Sequence, residues 1–153
     1  MAIFPWQKKK QFFTTEETQL IVDAIKDAER MTSGEVRVFV ESKCSYMNAI
    51  DRAAELFFQL QMQKTDDRNA VLVYIAMKDR QLAVFGDEGI HNKVGDEFWN
   101  SEVGKMINNF NTNNYAGGIS VVVRNIGTAL TKHFPYDKDT DKNELPDDIV
   151  FGK

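Results

Sequence analysis

Ala70-Val71-Leu72-Val73-Tyr74-Ile75-Ala76-Met77 is the longest uninterrupted apolar run in the chain. It does not alternate between apolar and polar residues, and it is far too short to cross a membrane. A run of this length, preceded by the polar stretch Lys64-Thr65-Asp66-Asp67-Arg68-Asn69, reads as a strand covered on both faces. That is the pattern of a central strand in a layered α/β fold.

Downstream, Lys78-Asp79 separates this run from Arg80-Gln81-Leu82-Ala83-Val84-Phe85. So short a gap predicts a tight hairpin, with the second strand antiparallel to the first. Upstream, Glu35–Glu41 alternates, with Val36, Val38 and Val40 on one side and Glu35, Arg37, Phe39 and Glu41 on the other. A helical stripe over Met47–Met62 lies between these two strands, so they should be parallel and joined by a right-handed crossover.

Further helices flank this centre. Thr14 and Glu17 have capping-box spacing ahead of Leu20, Ile21, Ala24, Ile25 and Ala28, and Gly34 is expected to take a left-handed cap after that helix. Val94, Phe98, Trp99, Val103, Met106, Ile107 and Phe110 mark a third helix, and Ile119, Val122, Val123, Ile126, Ala129 and Leu130 a fourth. The order α-β-α-β-β-α-α predicts a three-layer α/β/α sandwich, a small mixed sheet with helices on both faces. One domain is expected over 12–135, with a flexible segment at 1–11 and an acidic, extended tail over 136–153.

The chain has 153 residues, 42% of them hydrophobic and 27% charged, as in globular proteins. Its net charge of −4 gives no electrostatic footprint for nucleic acid. One cysteine and two histidines exclude a disulfide framework and a Cys-rich zinc site. Ile3-Phe4-Pro5-Trp6 is followed by Lys8-Lys9-Lys10, the reverse order of a secretory signal, so a cytoplasmic monomer without a transmembrane segment is expected.

The predicted topology gathers charge. An antiparallel hairpin brings the end of the third strand beside the start of the second, and a parallel crossover adds the start of the first. Glu35, Asp66, Asp67, Asp87 and Glu88 then share one sheet edge, with Asn69 as a neutral oxygen donor. Such an edge is either a solvated rim paired with Arg68, Arg80 or Lys64, or an all-oxygen site for Ca²⁺ or Mg²⁺. In the second case Gly86 and Gly89 would let a loop bend closely around the ion.

Other features are weaker. Asp137-x-Asp139-x-Asp141 has partial EF-hand spacing, but Lys142 stands where glycine is required, so a solvated tail is the expectation. His91 reads as a surface residue and Cys44 as a small buried one.

A family resemblance emerges from Thr32-Ser33-Gly34-Glu35-Val36-Arg37-Val38, Arg68-Asn69-Ala70-Val71-Leu72-Val73-Tyr74-Ile75-Ala76 and Asp79-Arg80. Phe85-Gly86-Asp87-Glu88-Gly89-Ile90-His91, Phe98-Trp99, Phe134-Pro135 and Asn143-Glu144-Leu145-Pro146-Asp147 continue it. Over about residues 12–151 the chain resembles the TPM domain family, also called TPM phosphatase, in its short stand-alone bacterial form. The resemblance implies an α/β/α sandwich and divalent-cation binding by an acidic cluster at one sheet edge. A plant relative is described as an acid phosphatase, while others are membrane-anchored or act as receptor accessories, so fold does not fix activity. Where many members carry Asp-Asn-Gly before strand two, this chain has Asp67-Arg68-Asn69-Ala70.

The expected function is therefore Ca²⁺ or Mg²⁺ binding by Asp66, Asp67, Asp87 and Glu88, with Asn69 or Glu35 assisting. One alternative is metal-dependent hydrolysis of a phosphorylated small molecule, with Asp87 or Asp67 orienting or deprotonating a water. Another is a non-catalytic module for protein interaction or envelope maintenance. The chain has neither a Cys-x5-Arg loop nor an Asp-x-Asp-x-Thr nucleophile motif, which favours binding over catalysis.

Overall fold

A computed structural model describes residues 12–136 and 149–152. Its elements are α1 (Thr15–Glu29), β1 (Glu35–Glu41), α2 (Ala49–Gln59), β2 (Ala70–Ala76), β3 (Gln81–Gly86), α3 (Glu88–Asn111), α4 (Tyr115–His133) and β4 (Ile149–Phe151). The sheet order is β3-β2-β1-β4. β1 and β2 are parallel, with Glu35 opposite Ala70, and β2 and β3 are antiparallel, with Val71 opposite Gly86.

Every residue of β2 is buried, which is why its sequence does not alternate. Val71, Val73 and Ile75 face one apolar layer built with α1, α3 and α4. Leu72 and Tyr74 face the other, where Phe57 and Leu56 of α2 pack with Met62. The three-layer α/β/α sandwich expected from the sequence is the observed fold.

Several local expectations change. The tail contributes a fourth strand: Ile149, Val150 and Phe151 lie parallel to Val38, Phe39 and Val40 of β1. The EF-hand-like stretch Asp137–Asp148 and the segment 1–11 lie outside the described residues. The hairpin is looser than read, since Ala76 pairs with Gln81 and leaves Met77–Arg80 as the turn, with Arg80 at φ +52°. α1 ends at an ordinary right-handed Arg30 cap, so Gly34 is not a left-handed stop. A Cβ at Gly34 would meet the Leu130 side chain at 2.7 Å; its missing side chain admits α4. α3 begins at Glu88, several residues earlier than its apolar stripe indicated, and breaks at Gly95, where φ is +78°.

One buried polar network braces α2 against β1. Glu41 accepts hydrogen bonds from Arg52 Nε at 2.9 Å and Nη2 at 3.0 Å, and from the Tyr74 hydroxyl. Burial, reinforced by that bond to Glu41, pushes the Tyr74 hydroxyl far above its ordinary pKa. Glu41 holds the Arg52 guanidinium above its own ordinary value. Glu41 is 6% exposed in the parent chain, and Arg52→Ala removes its guanidinium partner and leaves the Tyr74 hydroxyl bonded to it. Because water can enter the vacated, partly open position, we expect about 2 kcal/mol of destabilisation, less than for a fully enclosed pair. Urea denaturation of the variant beside Arg52→Lys checks this; equal midpoints for Arg52→Ala and the parent would show the network to be unimportant.

Candidate functional site

Asp87 is the residue around which the acidic edge is built. Its side chain caps α3 by accepting the backbone N–H of Glu88 at 2.8 Å. An aspartate is well placed there, because the first turn of a helix presents unpaired N–H groups and a positive dipole end. The same carboxylate receives a two-pronged contact from Arg68, Nε to Oδ2 at 2.7 Å and Nη2 to Oδ1 at 2.8 Å. The third prong, Nη1, reaches Glu88 Oε1 at 3.1 Å. Asp87 is buried, whereas Glu88 stands largely in solvent. The bonds to Asp87, with the charges of Asp87 and Glu88, raise the Arg68 pKa above its ordinary value.

Arg68 reaches this position because the loop before β2 turns sharply. Its φ is +51°, and its backbone N–H bonds to Thr65 O at 3.3 Å. Its carbonyl accepts the N–H of Gly89 at 2.8 Å. A Cβ on Gly89 would lie 2.1 Å from Asp67 O and 2.6 Å from Arg68 O. Gly89 therefore belongs to the first turn of α3, where its missing side chain lets the 65–69 loop lie directly on the helix. It does not serve as the flexible ion-wrapping loop expected from the sequence.

Of the other predicted residues, Asn69 and Asp67 form a second group through Ser33. Asn69 is buried and donates from Nδ2 to Ser33 Oγ at 3.1 Å; Ser33 Oγ reaches Asp67 Oδ2 at 3.4 Å. Asp66 is exposed, and Glu35 is buried at the head of β1. The topology thus brings the six candidate residues to one edge and splits four of them: Asp87 and Glu88 are knotted with Arg68, and Asp67 and Asn69 with Ser33.

This arrangement does not fit a preformed cation site. Both Asp87 oxygens are bonded to a guanidinium, and one also binds the Glu88 N–H. Among the described residues no group of three or more His, Cys, Asp or Glu is disposed to hold a metal ion. Of the three cations considered from sequence, Arg68 is the one that occupies the rim; spacing alone ranked it no higher than Arg80 or Lys64.

A cavity of about 840 Å³ opens beside Asp87. β3 forms its floor, Ile50 and Phe58 of α2 one wall, and His91, Asp96, Trp99, Asn100 and Val103 of α3 the other. His91, read from sequence as an unpartnered surface residue, accepts the Trp99 Nε1–H at Nδ1, 3.0 Å away. Its Nε2 lies 3.7 Å from Asp96. The Trp99 indole also lies against Gly86, where a Cβ would meet the ring at 2.3 Å. Sequence reasoning missed the His91–Trp99 pair because the break at Gly95 takes residues 91 and 99 off a single helical repeat.

Comparison with known proteins places these features in a family. A family model described as TPM domain matches residues 7–129. The BA42 protein of the psychrophilic bacterium Bizionia argentinensis is 41% identical, with 95% of this chain and 99% of that one aligned at a TM-score of 0.85. The N-terminal domain of the cg2496 protein from Corynebacterium glutamicum is 11% identical, over 88% of this chain and 84% of that one, at a TM-score of 0.65. The N-terminal domain of a protein from P. gingivalis is 16% identical, over 82% of each chain, also at 0.65. At these lower identities the likeness shows the fold alone. No curated protein matches the chain. No helix among the described residues is long and apolar enough to cross a membrane. With the family model covering most of its length and a relative sharing two residues in five, this chain belongs to the TPM domain family.

Proposed function

We propose that the chain is a non-catalytic binding module whose acidic edge is closed by Arg68, and that Ca²⁺ or Mg²⁺ engages Asp87 and Glu88 only by displacing that guanidinium. The observation that carries this reading is the two-pronged contact of Arg68 with Asp87. An arginine in this position supplies the positive charge that a divalent ion would otherwise bring, with a planar fork matched to the carboxylate. A cation competing for the same oxygens must therefore break three side-chain hydrogen bonds. Asp67 stands nearby on the same loop and would assist once Arg68 has moved.

The alternative in which Asp87 and Asp67 catalyse phosphomonoester hydrolysis draws less support. Asp87 is committed to the helix cap and to Arg68, and Asp67 is exposed beside Ser33.

Titration of the ¹⁵N-labelled chain with Ca²⁺ or Mg²⁺ tests the proposal. We expect weak binding, with dissociation constants of about 10⁻⁴–10⁻³ M, the range of the loosest calcium sites. Shifts should fall on residues 65–69 and 86–89, and the Arg68 Nε–H signal should move with them. Saturable binding below about 10⁻⁵ M with that signal unmoved would overturn the displacement model. Shifts confined to 137–148 would overturn the site.

A further inference from the structure

The outer edge of β3 pairs with no other strand among the described residues and is set between two apolar walls. Asp87 N–H bonds to Ala70 O at 2.9 Å, continuing the antiparallel pairing of β2 with β3. Antiparallel partners alternate between bonded and non-bonded pairs. Phe85, Ala83 and Gln81 therefore turn their backbone groups toward β2, and Gly86, Val84 and Leu82 turn theirs outward. β3 is the last strand on its side, so among the described residues no strand takes up those three N–H and three C=O groups.

Edge strands are protected by charge, proline, short length or a covering element. β3 reads Gln-Leu-Ala-Val-Phe-Gly, without charge or proline, and its middle residues Ala83 and Val84 are 4% exposed between the flanking walls. The outward ladder forms the floor of the 840 Å³ cavity. Ile50 and Phe58, 47% and 49% exposed, stand on its α2 side; Trp99 and Val103 stand on its α3 side. Successive side chains of an added strand would point alternately at these two walls. A compact ligand would satisfy the walls but not the ladder, whereas an extended peptide satisfies both.

Charge selects the peptide further. Asp87 and Glu88 follow Gly86 directly, and Asp96, 3.7 Å from His91, lines the same cavity; Arg68 is the positively charged side chain among the lining residues, and His91 is bonded to Trp99. Arg68 offsets one of the three carboxylates and leaves the group negative. We propose that the β3 edge binds, by strand addition, an extended polypeptide segment with a short apolar run preceded by lysines. In the antiparallel orientation its N-terminal lysines would lie at Glu88 and Asp96. This goes beyond cation exchange at Arg68 and does not depend on it.

The test uses the full ¹⁵N-labelled chain in EDTA, so that no divalent ion contributes, titrated with Ac-Lys-Lys-Val-Ile-Val-Phe-NH₂. We expect saturable shifts and slowed exchange at the amides of Leu82, Val84 and Gly86, with the Trp99 indole N–H shifted as well. Ac-Glu-Glu-Val-Ile-Val-Phe-NH₂ should bind about tenfold more weakly at low salt, as expected for reversed charge at a rim. N-methylation of alternate peptide amides should abolish binding in one frame and spare it in the other, because an added strand presents only every second N–H to its neighbour. Unshifted amides at 82, 84 and 86, equal binding by both charge forms, or tolerance of both methylation frames would each overturn the proposal. So would self-association through β3 in the absence of peptide, which would make a second copy the occupant.

Discussion

Arg68→Asn is expected to bind Ca²⁺ about tenfold or more tightly than the parent chain, within the usual span of coupling between competing ligands. The substitution removes the guanidinium that holds Asp87 and Glu88, and leaves the loop that carries them. Asparagine tolerates a left-handed backbone better than most residues, so the φ of +51° at position 68 is not an obstacle. The bonds from Gly89 N–H to the residue-68 carbonyl and from its own N–H to Thr65 are main-chain and persist. Asp87 continues to cap α3 through the Glu88 N–H. What changes is that three carboxylate contacts become free and one positive charge leaves the edge. Arg68→Lys should fall between the two, keeping the charge but losing the fork. Calorimetric or NMR titration reads the constants directly. An Arg68→Asn chain that binds Ca²⁺ no better than the parent would mean that the arginine is not the cation's competitor.

Gly89→Ala should cost about 3 kcal/mol of stability, at the upper end for forced overpacking. Its methyl would sit 2.1 Å from Asp67 O and 2.6 Å from Arg68 O, both backbone atoms that no rotamer change can move aside. Relief requires the 65–69 loop to lift off α3, which breaks the Gly89–Arg68 main-chain bond and draws Arg68 away from Asp87. For a chain of this size the cost corresponds to a fall in Tm of roughly 6–12 °C. Gly104→Ala is the matched control, since nothing lies within 4 Å of a Cβ there and alanine suits a helix interior. Equal melting of Gly89→Ala and the parent would show that the loop is not seated on the helix as described.

Much of the architecture is legible in the sequence. The unbroken run Ala70–Ala76 announces a strand buried on both faces, and the alternation of Glu35–Glu41 announces its parallel neighbour. From these two and the hairpin, the meeting of Glu35, Asp67 and Asp87 at one edge follows by topology alone. β4 is not legible, because three apolar residues beside an acidic stretch carry no periodicity; their strand character comes from pairing with β1. The start of α3 is hidden for a different reason. Gly86 and Gly89 look like loop residues, yet one makes room for the Trp99 ring and the other for a main-chain crossing.

The layer order and the end of the sheet that collects the carboxylates can be read from the amino-acid pattern, because hydrophobic periodicity and crossover handedness are local or chain-wide rules. The contacts those carboxylates make depend on the packed fold. Lys64, Arg68 and Arg80 are equivalent cations by spacing, and the left-handed turn at residue 68, pressed against Gly89, aims one of them at Asp87. The edge that reads as a cation site in the sequence is therefore already neutralised in part by the chain's own arginine, since hydrogen-bond geometry over a few ångströms is invisible to composition and spacing.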